Sequence, residues 1–159
     1  MRTVTRAELA ALAAAARGAP RLRHNLNLHP ELADPVQRLL NAFEPGTYLR
    51  PHRHAASGKW ELFAWLAGRA VVLGFNDDGE VTERVEIDAA TPLAEIPAGC
   101  WHTLAALEPG TVLLEVKPGP YAPLIAEGFA PWAPVDGTPQ AAALEQWFRQ
   151  ARVGARAPR

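Results

Sequence analysis

Apolar positions change their spacing along this chain, and the changes mark out its elements. Residues 5–17 (TRAELAALAAAAR) open on Thr5-x-x-Glu8, a capping box, and predict an amphipathic helix. The spacing predicts a second helix over 35–43. Asp34 suits the N-cap, Pro35 the first helical position, and Val36, Leu39, Leu40 and Phe43 fall at i, i+3, i+4 and i+7. From Gly46 to Lys117 short apolar runs alternate with turn residues, and hairpins are expected at Asn76-Asp77-Asp78-Gly79 and at Glu108-Pro109-Gly110. Strands at this density argue a mainly β jelly roll, with a barrel core over about 44–123. The run PGPYAPLIAEGFAPWAP after Lys117 is too rich in proline for a sheet interior and is expected to wrap the barrel. A last helix over about 139–151 starts at Thr138-Pro139, with Leu144, Trp147, Phe148 and Ala151 on one stripe. The tail from Arg152 is expected to fray.

Composition narrows the class. At 159 residues and 48% hydrophobic, the chain can bury one sizeable core, so 1–159 reads as a single domain. A net charge of −1 gives no case for nucleic acid or a membrane surface as partner. No apolar run approaches the length of a membrane span, and Glu8 interrupts the alanine-rich start that would otherwise resemble a signal peptide. The single cysteine, Cys100, suits a reducing compartment, and a cytoplasmic protein is expected. Its thiol reads as a small core residue or as a neighbour of the chemistry described next. The apolar terminal helices suit a homodimer.

The chemistry is concentrated in two motifs. GTYLRPHRHAASGKWELFAWLAG (46–68) carries His52, His54 and Glu61, and PAGCWH (97–102) carries His102 behind a Pro-x-Gly turn. Of five histidines in the chain, three fall inside these motifs. Side chains alternate along a strand, so His52 and His54 share a face with their Cα atoms about 7 Å apart, close enough to converge on one ion. The same parity groups Tyr48 and Arg50 with the two histidines, and Lys59, Glu61, Phe63 and Trp65 with one another. A carboxylate among aromatic side chains is costly to bury unless something positive meets it. Three imidazoles and a carboxylate are the ligand set of a mononuclear site for one divalent metal ion: Zn, Fe, Mn or Ni. Taken singly, a His-x-His or a turn histidine carries no such meaning; the conjunction does.

The pattern Gly46-x5-His52-x-His54-x6-Glu61-x6-Gly68, then Pro97-x-Gly99-x2-His102, resembles the two signature motifs of the cupin superfamily. More narrowly, the chain is similar to the WbuC family of cupin-fold metalloproteins. The matching segments are RLRHNLNLH (21–29), DPVQRLL (34–40), EPGTYLRPHRH (44–54), KWELF (59–63), EIPAGCWHTL (95–104) and LEVKPGPYAP (114–123). The resemblance implies a cupin jelly roll, the double-stranded β-helix, with short flanking helices at both ends. The gap between His54 and Glu61 is longer than the general pattern has, and Ala106 stands where an Asn often ends the second motif.

Around the ligands the reading gathers Tyr48, Lys117, Tyr121 and His29 as candidate proton-moving groups, and Arg23, Asn25, Arg50 and Lys59 as candidate substrate-binding groups. Cationic and phenolic side chains around a metal suit an oxygen-rich anion or a carbohydrate as small-molecule partner. The same residues could instead be structural, with Arg50 and Lys59 paired to Glu61, Glu115 and Glu95 and His29 capping the Asp34 turn. The resemblance implies a sugar or nucleotide-sugar substrate in surface-polysaccharide synthesis, isomerised or epimerised by a metalloenzyme. A non-catalytic metal-dependent binding module and an iron-dependent dioxygenase are the alternatives, and a cupin fold hosts all three.

Overall fold

The computed structural model describes residues 1–54 and 58–158. Two antiparallel sheets face each other across an interior. The larger has the strand order β1-β2-β8-β3-β6 and the smaller β5-β4-β7. Its members are β1 (Arg23–Asn27), β2 (Val36–Phe43), β3 (Glu61–Ala67), β6 (Leu93–Ile96) and β8 (Thr111–Pro118); the smaller sheet is built from β4 (Ala70–Phe75), β5 (Val81–Ile87) and β7 (Trp101–Ala106). Helix α1 (Arg6–Gly18) and helix α2 (Pro139–Phe148) flank them.

Each helix covers the outer face of one sheet. Leu9, Leu12, Ala13 and Ala16 of α1 pack on Leu40, Ala42 and Val112 of the large sheet. Leu144 and Phe148 of α2 pack on Val71, Leu73, Phe75 and Trp101 of the small one. Both helix starts follow the sequence signals: Thr5 and Glu8 cap each other's backbone, and the Thr138 hydroxyl accepts from Ala141 N–H at 3.2 Å. Between the sheets, Phe43, Phe63, Val72, Ile87, Ile96, Leu104 and Leu113 form the interior core. That core fills one end of the barrel. The other end is polar.

Three sequence expectations differ from what the chain does. Residues 35–43 are not a helix; Val36–Phe43 is strand β2, between β1 and β8. Both faces of this strand are covered, Leu40 and Ala42 by α1 and Phe43 by the interior, so its apolar residues form a near-continuous run that mimics helical spacing. Asp34 still caps, but a turn rather than a helix, accepting from Val36 N–H at 3.0 Å. The Asn76–Gly79 turn does join paired strands, β4 and β5. The Glu108–Gly110 turn does not: it carries the chain from β7 in the small sheet to β8 in the large one. The tail is also held. Val81 N–H donates to Ala155 O at 2.9 Å and Ala157 N–H to Gly79 O at 2.9 Å, so the tail covers the start of β5, a strand at the edge of its sheet. Among the described residues, no helix is long and apolar enough to cross a membrane.

Candidate metal centre

Register builds the site. β8 pairs with β3 so that Glu115 lies opposite Phe63 and Val116 opposite Leu62. On its other side β8 pairs with β2, Glu115 opposite Leu39 and Leu113 opposite Asn41. Paired residues share a face, so Glu61, Asn41, Glu115 and Lys117 come together on the inner face of the large sheet. His102 enters from the small sheet, opposite Gly74. His52 is pinned to it by reciprocal backbone bonds, His52 N to His102 O at 3.0 Å and His102 N to His52 O at 2.9 Å.

His52, His54, Glu61 and His102 thereby bring one ligand atom each to within 4.8 Å of one another. Glu61 Oε1 is 3.0 Å from His54 Nε2 and Glu61 Oε2 is 3.0 Å from His102 Nε2. The backbone fixes two of the rings: His52 Nδ1 lies 3.0 Å from Arg50 O and His102 Nδ1 lies 2.9 Å from Cys100 O. Metal-ligating histidines are characteristically held in this way, since donating Nδ1–H to a carbonyl leaves the Nε2 lone pair for the ion. Burial, reinforced by the neighbouring His102, pushes the His52 imidazole down to about 3, so its lone pair is free at neutral pH. Burial alone would raise the Glu61 carboxyl, but its hydrogen bonds to His102 and His54 and the charge of Lys117 hold it well below the usual range.

The donor set fits a cation. His102 is nearly fully buried and both its ring nitrogens face acceptors, the Cys100 carbonyl and the Glu61 carboxylate. With Nδ1–H given to the carbonyl, Nε2 presents a lone pair to a carboxylate. Something positive belongs between them, a proton or a metal ion.

Lys117 completes an ion cluster behind the histidines. Its Nζ is 2.9 Å from Glu61 Oε1 and 2.5 Å from Glu115 Oε1, and Glu115 Oε2 also accepts from Asn41 Nδ2. Burial works against the lysine's charge, yet Glu115 and Glu61 together raise its pKa above the ordinary value. Burial and the Glu61 charge push Glu115 up. Asn41 escaped the sequence reading because residues 35–43 read as helical; in the extended strand it lies opposite Leu113, on the Glu115 face.

Two cavities meet at this cluster. One, of roughly 530 Å³, holds Glu61, His102, Asn41, Glu115 and Asn25 beside Phe43, Phe63 and Leu104. The other, of roughly 730 Å³, opens outward past His54, Arg50, Lys59 and Tyr121. Arg21, Arg23, Leu49, His52 and Lys117 line both. Arg23 donates to Tyr48 O at 2.8 Å. Arg50 Nε donates to Ala133 O at 3.1 Å, its guanidinium 5.0 Å from the Phe129 ring centre. Among the described residues Lys59 pairs with no carboxylate; its Nζ donates to the carbonyls of Pro118, Gly119 and Pro120 at 3.1, 2.8 and 3.3 Å and so anchors the proline-rich strap.

Tyr48 and His29 lie elsewhere. Tyr48 is buried under α2, its ring 6.1 Å from that of Phe148 and its hydroxyl 2.9 Å from Pro134 O. The parity that grouped it with His52 requires a regular strand, and residues 47–51 belong to none; Leu49 packs on the interior core while Tyr48 faces the outer one. His29 is buried beside β2, its Nδ1 3.0 Å from Arg38 N, and does not cap the Asp34 turn. The Cys100 side chain is exposed rather than in the core; the residue contributes its carbonyl to His102.

A two-sheet jelly roll with three histidines and a glutamate at its polar end defines the class. The chain belongs to a family described as a domain of unknown function (DUF6016), whose model matches residues 4–87, more than half of its length. That model is not the WbuC family to which the sequence motifs were likened. No curated protein matches the sequence. Among solved structures, an oxalate oxidase in complex with the substrate analogue glycolate is 17% identical with a TM-score of 0.53, over 67% of this chain and 56% of that one. Procruciferin, the 11S globulin of Brassica napus, is 20% identical with a TM-score of 0.52, over 64% of this chain and 27% of that one. A cupin superfamily protein from Desulfitobacterium hafniense is 18% identical with a TM-score of 0.48, over 60% of this chain and 76% of that one. The likenesses to the oxalate oxidase and to procruciferin show the fold, a jelly roll of the cupin type.

Proposed function

We propose that His52, His54, Glu61 and His102 hold one divalent metal ion (Zn, Fe, Mn or Ni) and that the centre serves a small, oxygen-rich anion. The observation that carries the reading is the buried His102, with Nδ1 committed to a carbonyl and Nε2 aimed at the Glu61 carboxylate. Bound there, the ion supplies a Lewis acid at the junction of the two cavities. The chain's own residues supply charge. Arg21, Arg23, Arg50, Arg53, Lys59 and Lys117 line the outer cavity against two carboxylates, Glu127 and Asp136, which favours anion entry. Lys117, 2.9 Å from Glu61 and open to both cavities, is the group placed to give a charged hydrogen bond to a bound oxyanion. The WbuC resemblance points to a sugar derivative, and the oxalate oxidase of the same fold is described with glycolate. A sugar acid and a hydroxy-carboxylate share paired oxygens able to chelate one ion.

Elemental analysis tests the reading. The purified protein should hold about one divalent ion per chain, and His52→Ala and His102→Ala should each lose it while keeping a β-type circular dichroism spectrum. Full occupancy in either variant would sink the assignment.

A further inference from the structure

The outer cavity has a wall unlike that of the inner one. Between its charged residues it carries an apolar stretch: Tyr121, Leu124, Ile125, Phe129 and Val135 face it, and Tyr121, Ile125 and Val135 remain 50%, 69% and 61% exposed. Apolar side chains left to water in a concavity that runs into a buried charged cluster mark a ligand surface. Resting on the metal reading above, we propose that the ligand is an amphiphilic acid: an anionic head at the junction by His52, Arg23 and Lys117, and an apolar body, aromatic or aliphatic, in the outer cavity.

Size and hydrogen bonding both carry this. Roughly 730 Å³ is the volume of a site for a ligand of many atoms, far more than a two-carbon acid fills. Several polar groups of the outer wall are already engaged in part. Arg50 Nε serves Ala133 O, Lys59 serves three backbone carbonyls, and Arg21 holds Asp136 at 2.6 Å. Where a polyhydroxylated body meets Leu124, Ile125, Phe129 and Val135 its hydroxyls would be left unpaired, at a desolvation cost that an apolar body does not bear. Arg21, Arg23 and Lys117 line both cavities, so a head group held by them meets the metal cluster while the body lies along the apolar side chains of the outer wall.

Calorimetric titration of the protein as purified, with metal content measured on the same sample, tests the class. Three probes share one carboxylate and differ in body: acetate, 4-phenylbutyrate and galacturonate. The expected result is 4-phenylbutyrate binding more than about tenfold tighter than either of the others. Ile125→Asp and Val135→Asp, at exposed positions, should remove that advantage while leaving acetate affinity and metal content unchanged. Equal or tighter binding of acetate or galacturonate, or no binding of 4-phenylbutyrate, would overturn the proposal. So would a wild type that sediments as a dimer and variants that sediment as monomers with unchanged probe affinity, which would give the apolar wall to a second copy of the chain. A sample lacking metal but keeping the phenylbutyrate preference would sink the metal reading alone.

Discussion

Lys117→Ala probes the ion cluster behind the histidines most directly. The ammonium is the cation bridging two carboxylates, Glu61 at 2.9 Å and Glu115 at 2.5 Å, whose side chains are 4% and 8% exposed against 24% for the lysine. Removing one partner of a buried ion pair costs roughly 3–5 kcal/mol, because the remaining charge is left without compensation. Two features pull the figure to the lower end. The lysine is about one-quarter exposed, so solvent screens part of its attraction. Glu115, already pushed up by burial and by Glu61, can take up a proton once the lysine is gone. A loss of about 3 kcal/mol remains, which for a domain of this size lowers Tm by about 6–12 °C. Differential scanning calorimetry in EDTA reads it without the metal. The Glu115→Gln background supplies the control: with one carboxylate neutral, Lys117→Ala should cost less than half as much, a coupling visible in a double-mutant cycle. A Tm within about 2 °C of wild type, or the same cost in both backgrounds, would refute the cluster as an energetic unit.

Two further outcomes follow from the walls of the outer cavity. Arg50→Ala removes a guanidinium that holds Ala133 O and lies over Phe129, and calorimetry with a carboxylate probe should show about tenfold weaker binding with metal content unchanged; wild-type affinity would take Arg50 out of the site. Gly119→Ala would place a Cβ 1.9 Å from Asp34 O, so the strap that Lys59 anchors must move; thermal melts should show about 1–3 kcal/mol of destabilisation, and unchanged melting together with unchanged probe binding would contradict the packing.

The convergence of His52, His54, Glu61 and His102 and the jelly roll are readable because each rests on a short-range rule: a two-residue step between His52 and His54, a carboxylate on an otherwise apolar face, a Pro-x-Gly turn ahead of His102. What the sequence did not disclose depends on which faces the tertiary fold covers. Residues 36–43 look helical only because α1 buries one face of β2 and the interior buries the other, so the alternation that would reveal a strand is erased. That one misreading hid Asn41, whose amide meets Glu115 only when the segment is extended. Tyr48 failed through the opposite cause. Alternation was applied to 47–51, where no partner strand enforces it, and the chain turns Leu49 inward before His52 does the same.

Lys59 and Lys117 show where local pattern stops informing chemistry. The chain has only these two lysines, both close in sequence to the histidine and glutamate motifs or their partner strand, and both candidates for an anion. The fold gives them different work. β8 aligns with β3 so that Lys117 reaches Glu61, placing its charge beside the ligand cluster. Lys59 stands ahead of β3, where the proline-rich strap crosses, and its three hydrogens go to strap carbonyls, Pro being unable to donate in return. The identity of the residue type was equally informative at both positions. Pairing register, a long-range property, decided that one lysine faces the chemistry and the other holds the wall beside it.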